Sequence, residues 1–291
     1  MVTLKKKIVD GRTYYYLTHS YRKNGKVHKK EKYIGKKVPS NIEKQKMSFL
    51  NELYQELWYP LFEDIQTKYS QELLKVPPSA IKKELESFSI LFTYDTQRIE
   101  GSTLTLRETA DLLERDITPG GKSLLDVKEA EAHKKLFLDI QEYKKDLDFQ
   151  IILYWHKKLF EHTKPDIAGK LRQHQVRISG SKFKPPIPVE VYPLLMELIK
   201  WYNRNKSKMN PVLLAGLIHL KFVTIHPFSD GNGRVGRLIL NFVLKKYNYP
   251  MLNIPYVNRT SYYNALERSQ LQQDDQIFVT WFFRNYVKDL L

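Results

Sequence analysis

The chain has 291 residues, 42% of them apolar, which suits a globular protein with a sizeable core and argues against wholesale disorder. It contains no cysteine, so disulfides, thiolate metal sites and a cysteine nucleophile are excluded. The net charge of +16 is uneven: residues 1–50 carry 14 Lys+Arg against 3 Asp+Glu, or +11, which leaves only +5 for the remainder.

The N-terminal stretch MVTLKKKIVDGRTYYYL lacks an apolar core of signal-peptide length. The longest apolar run, NPVLLAGLIHLKFVTI, is interrupted by His219 and Lys221 and reads as a buried helix. No membrane span is expected, and the expected location is the cytoplasm.

Two turn signals open the chain: Asp10-Gly11 and Asn24-Gly25 each separate runs of alternating polarity. Such dipeptides suit turns that need positive φ, so a three-stranded antiparallel meander is expected over residues 3–35, within a basic module of residues 1–38. Its Tyr- and Lys-rich strands could lie on nucleic acid, or the sheet could pack on a helical body with its lysines in water. From PSNIEKQ onward the period becomes helical. Ser40 and Glu43 have capping-box spacing, and the apolar positions from Leu50 to Ile65 continue one helix until KVPPS breaks it. Residues 39–84 are expected to form a helical linker region, and residues 85–291 the main domain.

A helix is expected from about Ala80 to Glu100, followed by one opened by a Thr105/Glu108 capping box. Further helices are expected near 123–145, 148–162, 189–205, 210–225, 233–247, 260–270 and 275–289. Between them, HQVRISGSKFKPPIPV reads as two short strands around Gly180-Ser181 with a proline exit, a hairpin inserted in a mainly α body.

The chemistry concentrates in TIHPFSDGNGRVGRLIL, residues 224–240. Pro227 disfavours helical geometry at His226, so one helix must stop there and the next must start near Asn232-Gly233. Free N–H groups and the positive end of the helix dipole make such a start an anion site. Arg234 and Arg237, three apart on one face, offer two forks for phosphate oxygens. Asp230 offers a hard oxygen for Mg²⁺, and a neutral His226 could accept a proton from an incoming hydroxyl. Each residue also has a plainer reading: a simple turn, a solvated arginine face, a capped core histidine. Their density favours transfer of a phosphorus-centred group. The loop has no GK[ST], so it is not a Walker A loop. His219 reads as a core histidine rather than a ligand, and Arg172 as either a structural ion-pair partner or a site residue.

HPFSDGNGRVGR resembles the signature of the Fic family, HPFx[D/E]GNGRxxR, at every specified position. LLAGLIHLKFVTI, AGKLRQHQVRI and RTSYYNALE extend the resemblance over roughly residues 85–285. It implies a Fic-type helical bundle with a β-hairpin flap, and transfer of AMP from ATP to a hydroxyl of a target protein. By that resemblance His226 is the general base, Phe228 anchors the loop, and Asp230 holds Mg²⁺. Gly231, Asn232 and Gly233 bind the α- and β-phosphates, Arg234 the β/γ-phosphates, and Arg237 the γ-phosphate. Tyr262, Tyr263 and Gln270 fall at the adenine pocket, where Gln270 replaces a frequent Asn. The flap positions Val176, Ile178, Gly180 and Lys182 would dock the target's backbone. Family members that phosphorylate have Lys at the position of Gly233. Thr96-x-x-x-Glu100-Gly101 resembles the inhibitory motif [S/T]xxxE[G/N], which implies that the helix of about 85–100 carries a brake in which Glu100 pairs with Arg237. A solvated Glu100 is the alternative, and removal of AMP is a second activity the family allows. A homo-oligomer is a further possibility.

Overall fold

The computed structural model describes residues 2–23 and 26–290. The chain divides into two compact units, residues 1–64 and 65–291.

The first unit begins with strands β1 (Thr3–Val9), β2 (Arg12–Lys23) and β3 (Lys26–Gly35), an antiparallel sheet in the order β1-β2-β3. Asp10 and Gly11 both have positive φ and close the first hairpin, as their sequence demands. The Asn24-Gly25 turn lies outside the described residues. Cross-strand register puts Tyr16 opposite Lys5 and Tyr33, with an irregularity between Tyr15 and Tyr16. Alternation then gives the sheet two different faces. One carries fully buried Leu17, flanked by Lys30 and Lys32, which form ion pairs with Glu56 and Glu52 of helix α1 (Ile42–Leu57). α1 contributes buried Phe49, Leu50 and Leu53. The other face is open.

Two sequence expectations fail here. Ser40 forms no capping box: α1 starts after Asn41 without a side-chain cap, and Glu43 pairs with Lys46 instead. The helix expected to run unbroken to KVPPS is two helices, α1 and α2 (Tyr59–Lys75), which part at Trp58. Pro60 has no N–H for the preceding turn, so it fits only in the first turn of a new helix.

The division between the units falls within α2. In the second unit Gln66 of α2 donates to the Tyr247 carbonyl. α3 (Pro78–Ile99), α4 (Leu106–Arg115), α5 (Leu124–Glu142) and α6 (Phe149–Phe160) follow. Thr105 and Glu108 form the expected capping box at α4, and Ser123 and Asp148 cap α5 and α6. Next come α7 (Pro188–Asn205), α8 (Pro211–Ile225), α9 (Asn232–Lys246), α10 (Arg259–Gln272) and α11 (Asp275–Leu290). α8 is apolar around most of its circumference and packs against α7, α9 and α11, as the centre of a bundle must. Among the described residues no helix is long and apolar enough to cross a membrane.

Candidate active site

The loop between α8 and α9 is built before any ligand is considered. α8 ends at His226, which adopts a left-handed conformation (φ 52°, ψ 59°) because Pro227 bars it from continuing the helix. Arg172 holds this unusual turn. Its Nε donates to the His226 carbonyl at 2.7 Å, its backbone N–H to the Pro227 carbonyl at 3.0 Å, and its Nη2 to the Pro186 carbonyl at 2.6 Å. Arg172 is therefore not an ion-pair partner; its charge is spent on main-chain carbonyls.

Phe228 is fully buried and stacks on His156, with ring centroids 3.7 Å apart. The Gly169 N–H donates to His156 Nδ1, so Nε2 carries the proton and donates to the Asp230 carbonyl at 3.0 Å. Burial keeps His156 neutral, with its pKa brought down to about 4. The Asn232 side chain accepts from the Phe228 N–H and donates to the Phe228 carbonyl, both at 2.8 Å. That carboxamide clamps the loop with one donated and one accepted bond, and the Asn232 backbone faces the cavity at the first turn of α9. Gly231 caps α9 at φ 78°, and a Cβ there would lie 2.4 Å from the Phe160 ring, so only glycine fits.

The first turn of α9 opens into a cavity of about 560 Å³, within the size range of nucleotide and cofactor sites. His226, Asp230, Gly231, Asn232, Gly233 and Arg237 line it, together with Glu100, Tyr262, Tyr263, Gln270, Ile178 and Gly180. Thr96, Arg234, Val176 and Lys182 are not in its lining.

His226 Nδ1 lies 3.2 Å from the Val223 carbonyl, which can only accept, so Nδ1 is the protonated nitrogen and Nε2 keeps the lone pair. Burial lowers the His226 pKa and favours this neutral form.

The two arginines are neither a solvated face nor a matched pair, for their side chains are only 4% and 2% exposed. Arg234 turns inward to Glu129, to Asp230 at 3.0 Å and to Gln97 at 3.4 Å. Arg237 turns to α3: its Nη2 donates to Glu100 Oε1 at 2.6 Å, and Thr96 accepts from it through both hydroxyl and carbonyl at 3.3 Å. Burial works most strongly against the Arg237 charge, but Glu100 together with Tyr262 and Tyr263 more than offsets it and raises the pKa. Glu100 is thus no solvated glutamate. It caps α3, and Gly233 makes the approach possible, since a Cβ there would sit 2.2 Å from Glu100 Oε1.

Asp230 meets Lys164 Nζ at 2.7 Å, and Lys164 also meets Glu129 at 2.9 Å. Burial opposes ionisation of Asp230, yet Arg234 and Lys164 bring its pKa down to about 2. Sequence reasoning missed Lys164, Glu129 and His156. Glu129 had a signal, for it sits among Val127, Ala130 and His133 on the buried side of α5. Lys164 lies in a turn, where no periodicity marks it.

The expected hairpin of residues 174–189 has no strands. It is an extended loop with one turn, where the Ser181 N–H donates to the Ile178 carbonyl and Gly180 has φ 74°. Pro185 and Pro186 supply no ladder donors, and Arg172 takes the His174 and Pro186 carbonyls. Glu267 of α10 holds the loop instead, accepting from the Ser181 hydroxyl at 3.0 Å and the Lys182 N–H at 2.5 Å. Of the residues expected at the adenine pocket, buried Tyr262 bonds His219 at 2.9 Å, Tyr263 donates to the Ile99 carbonyl at 2.9 Å, and Gln270 donates to Thr224 at 3.2 Å. His219 is a fully buried core residue, with Nε2 bonded to Tyr262 and Nδ1 left without a hydrogen-bond partner among the described residues.

Residues 146–244 match the Fic/DOC family model. Protein adenylyltransferase fic-1 of Caenorhabditis briggsae is 32% identical over 199 residues. The segment that carries the loop is a match to the Fic/DOC family. The match to that relative takes in 66% of this chain but 39% of the relative, so the chain spans about two fifths of its length. Protein adenylyltransferase Fic of Drosophila melanogaster is 35% identical over 183 residues, 60% of this chain and 36% of the relative. Among solved structures, a Fic-domain signalling protein from Bacteroides thetaiotaomicron superposes with a TM-score of 0.72 at 28% identity. The superposition covers 79% of this chain and 94% of that one. Residues 134–508 of Fic-1 from Caenorhabditis elegans share the fold, with a TM-score of 0.72 at 23% identity over 86% of this chain and 74% of that one. The loop therefore lies within the segment that matches the Fic/DOC model, and Glu100, which reaches it, comes from α3, outside that segment.

Proposed function

We propose that this Fic protein transfers AMP from ATP to a hydroxyl side chain of a target protein and is held at rest by Glu100. The observation that carries the reading is convergence: a neutral histidine, the N-terminus of α9 and a buried arginine line one cavity of nucleotide size. The triphosphate would lie over the free N–H groups of the first turn of α9, with its terminal phosphate at Arg237. The target hydroxyl oxygen attacks the α-phosphorus, its proton passes to His226 Nε2, and the bond from the α-phosphorus to the α–β bridging oxygen breaks. Pyrophosphate leaves with that electron pair.

Among the described residues no three acidic or histidine side chains cluster as a metal cage. Asp230 is a single ionised carboxylate facing the cavity, which fits Mg²⁺, an ion held largely by phosphates and water. Bound between Asp230 and the phosphates, Mg²⁺ would supply charge neutralisation at the α-phosphorus.

While Glu100 occupies Arg237, the γ-phosphate has no partner there, so the resting rate is low. Glu100 also lines the cavity beside His226, where a carboxylate could orient water for AMP removal, and this is the second reading. Wild type, Glu100→Gly and Glu100→Gly/His226→Ala would be incubated with Mg²⁺ and ATP labelled at the α- or γ-phosphate, alone and with lysate. Protein label from α only, strongest in Glu100→Gly and lost without His226, is expected. Label from γ only overturns AMP transfer in favour of phosphorylation. No label in any variant, with release of AMP from a pre-modified target, establishes the second reading.

A further inference from the structure

We propose that the open face of the N-terminal sheet binds single-stranded nucleic acid. The catalytic loop and its cavity lie entirely within residues 65–291 and give no use for this face.

Strand register places Tyr14, Tyr16, Thr18 and Ser20 of β2 on the open face, with Lys5 and Lys7 from β1 and Lys29, Glu31 and Tyr33 from β3. The three tyrosine rings form one cluster: Tyr33 lies 5.4 Å from Tyr16 and 6.2 Å from Tyr14, centroid to centroid. Tyr33 is 50% exposed, and Lys7 stands 4.5 Å above the Tyr16 ring. A protein that wanted only to close a sheet would cover such rings. Here Tyr33 stays in water and Tyr14 and Tyr16 are half-buried beside it, with ammonium groups at the rim.

The charge on this face is unbalanced. Glu31 is its one acid, and it is shared between Lys7 and Lys29. Lys5 has no acid of its own: Lys29 crowds it and lowers its pKa below the usual lysine value. Three lysines against one glutamate leave room for a polyanion. On the opposite face, by contrast, Lys30 and Lys32 are committed to Glu56 and Glu52 of α1. The sheet therefore has a structural side and a free side.

Alternating rings and ammonium groups on a flat sheet suit unpaired bases, which stack on aromatic side chains while lysines follow the phosphates. A duplex hides its base faces, which leaves the rings nothing to stack on. Its exposed rings carry hydroxyls, so it is poorly made for insertion into a lipid surface.

The test is fluorescence anisotropy of the full chain with a labelled single-stranded DNA of about 20 nucleotides and mixed sequence, at about 50 to 200 mM NaCl. Wild type is expected to bind with a log–log salt slope near −2, roughly −0.7 for each of three lysines. Lys5→Ala/Lys29→Ala should weaken binding and flatten that slope to about −0.7. Tyr33→Leu should weaken binding roughly 5- to 150-fold, the equivalent of one stacked base, and leave the slope unchanged. Thermal melting by circular dichroism, with unaltered α-label incorporation, certifies that each variant is folded. Absence of binding at the lowest salt overturns the proposal. So do unchanged affinity in folded Tyr33→Leu, equal affinity for a duplex of the same sequence, or preference for phosphatidylserine vesicles over the oligonucleotide.

Discussion

Gly233→Ala puts the proposed brake to a test that leaves Glu100 itself intact. The new Cβ would lie 2.2 Å from Glu100 Oε1, 3.2 Å from Glu100 Cδ and 3.1 Å from Arg237 Nη1. Carbon and oxygen cannot approach within 3 Å without repulsion, so the carboxylate must retreat by about 1 Å, which a flexible side chain can do. That retreat breaks the 2.6 Å bond to Arg237. A charge-assisted hydrogen bond of this kind is worth about 1.5–3 kcal/mol, which converts to about 10- to 150-fold in the balance between resting and open forms. Alanine also suits the first turn of a helix better than glycine, so the variant should fold. Labelling with α-labelled ATP is expected to rise by that factor. The double variant Glu100→Gly/Gly233→Ala isolates any harm the methyl group does to phosphate approach. If Gly233→Ala stays at the wild-type rate while the double variant labels as strongly as Glu100→Gly, the carboxylate has not moved and the reasoning fails.

Lys164 competes for the carboxylate that would hold Mg²⁺, at 2.7 Å from Asp230. Lys164→Met, made in the Glu100→Gly background, is expected to lower the Mg²⁺ concentration for half-maximal labelling about two- to fivefold, the worth of a partly exposed ion pair. An unchanged requirement refutes the competition. The acid limb of the pH–rate profile tests His226. The base must be neutral, and burial lowers its pKa, so activity should persist as pH falls through about 6.5 and be lost only below it. Glu100 raises that pKa, so its removal should move the limb further down. A half-maximal rate at or above about pH 6.5 in Glu100→Gly contradicts the burial argument.

The helices were legible because their signals are local: the Thr105/Glu108 box, Pro211 in the first turn of α8, and Pro227 after His226. The loop was legible because a dense motif marked it. What the sequence withheld depends on contacts between distant segments. The carboxamide of Asn232 is a natural phosphate donor on paper, but the loop engages it at Phe228. Arg234 and Arg237 share a helix face by spacing, yet Glu129 and Glu100, from α5 and α3, draw them to different sides. The hairpin failed because alternation predicts strands only where both partners have donors and acceptors to give: the prolines lack donors, and Arg172 takes up the His174 and Pro186 carbonyls. Trp58 shows the converse, where Pro60 breaks a continuous apolar stripe.

Glu100 caps α3 just past its last residue, and the segment is held by short-range main-chain bonds to Gln97 and Arg98, by Tyr263 on the Ile99 carbonyl and by Arg98 on the Ser102 carbonyl at 2.5 Å. Helix ends fray far more readily than whole domains open. Unwinding one turn would carry the carboxylate out of the cavity while the bundle stays folded. Under the proposed brake the resting protein would be a leaky timer rather than a locked gate: a small open fraction would recur on its own, temperature and denaturant would raise it well below global unfolding, and any molecule that grips residues 99–102 in the frayed form would draw the population toward turnover.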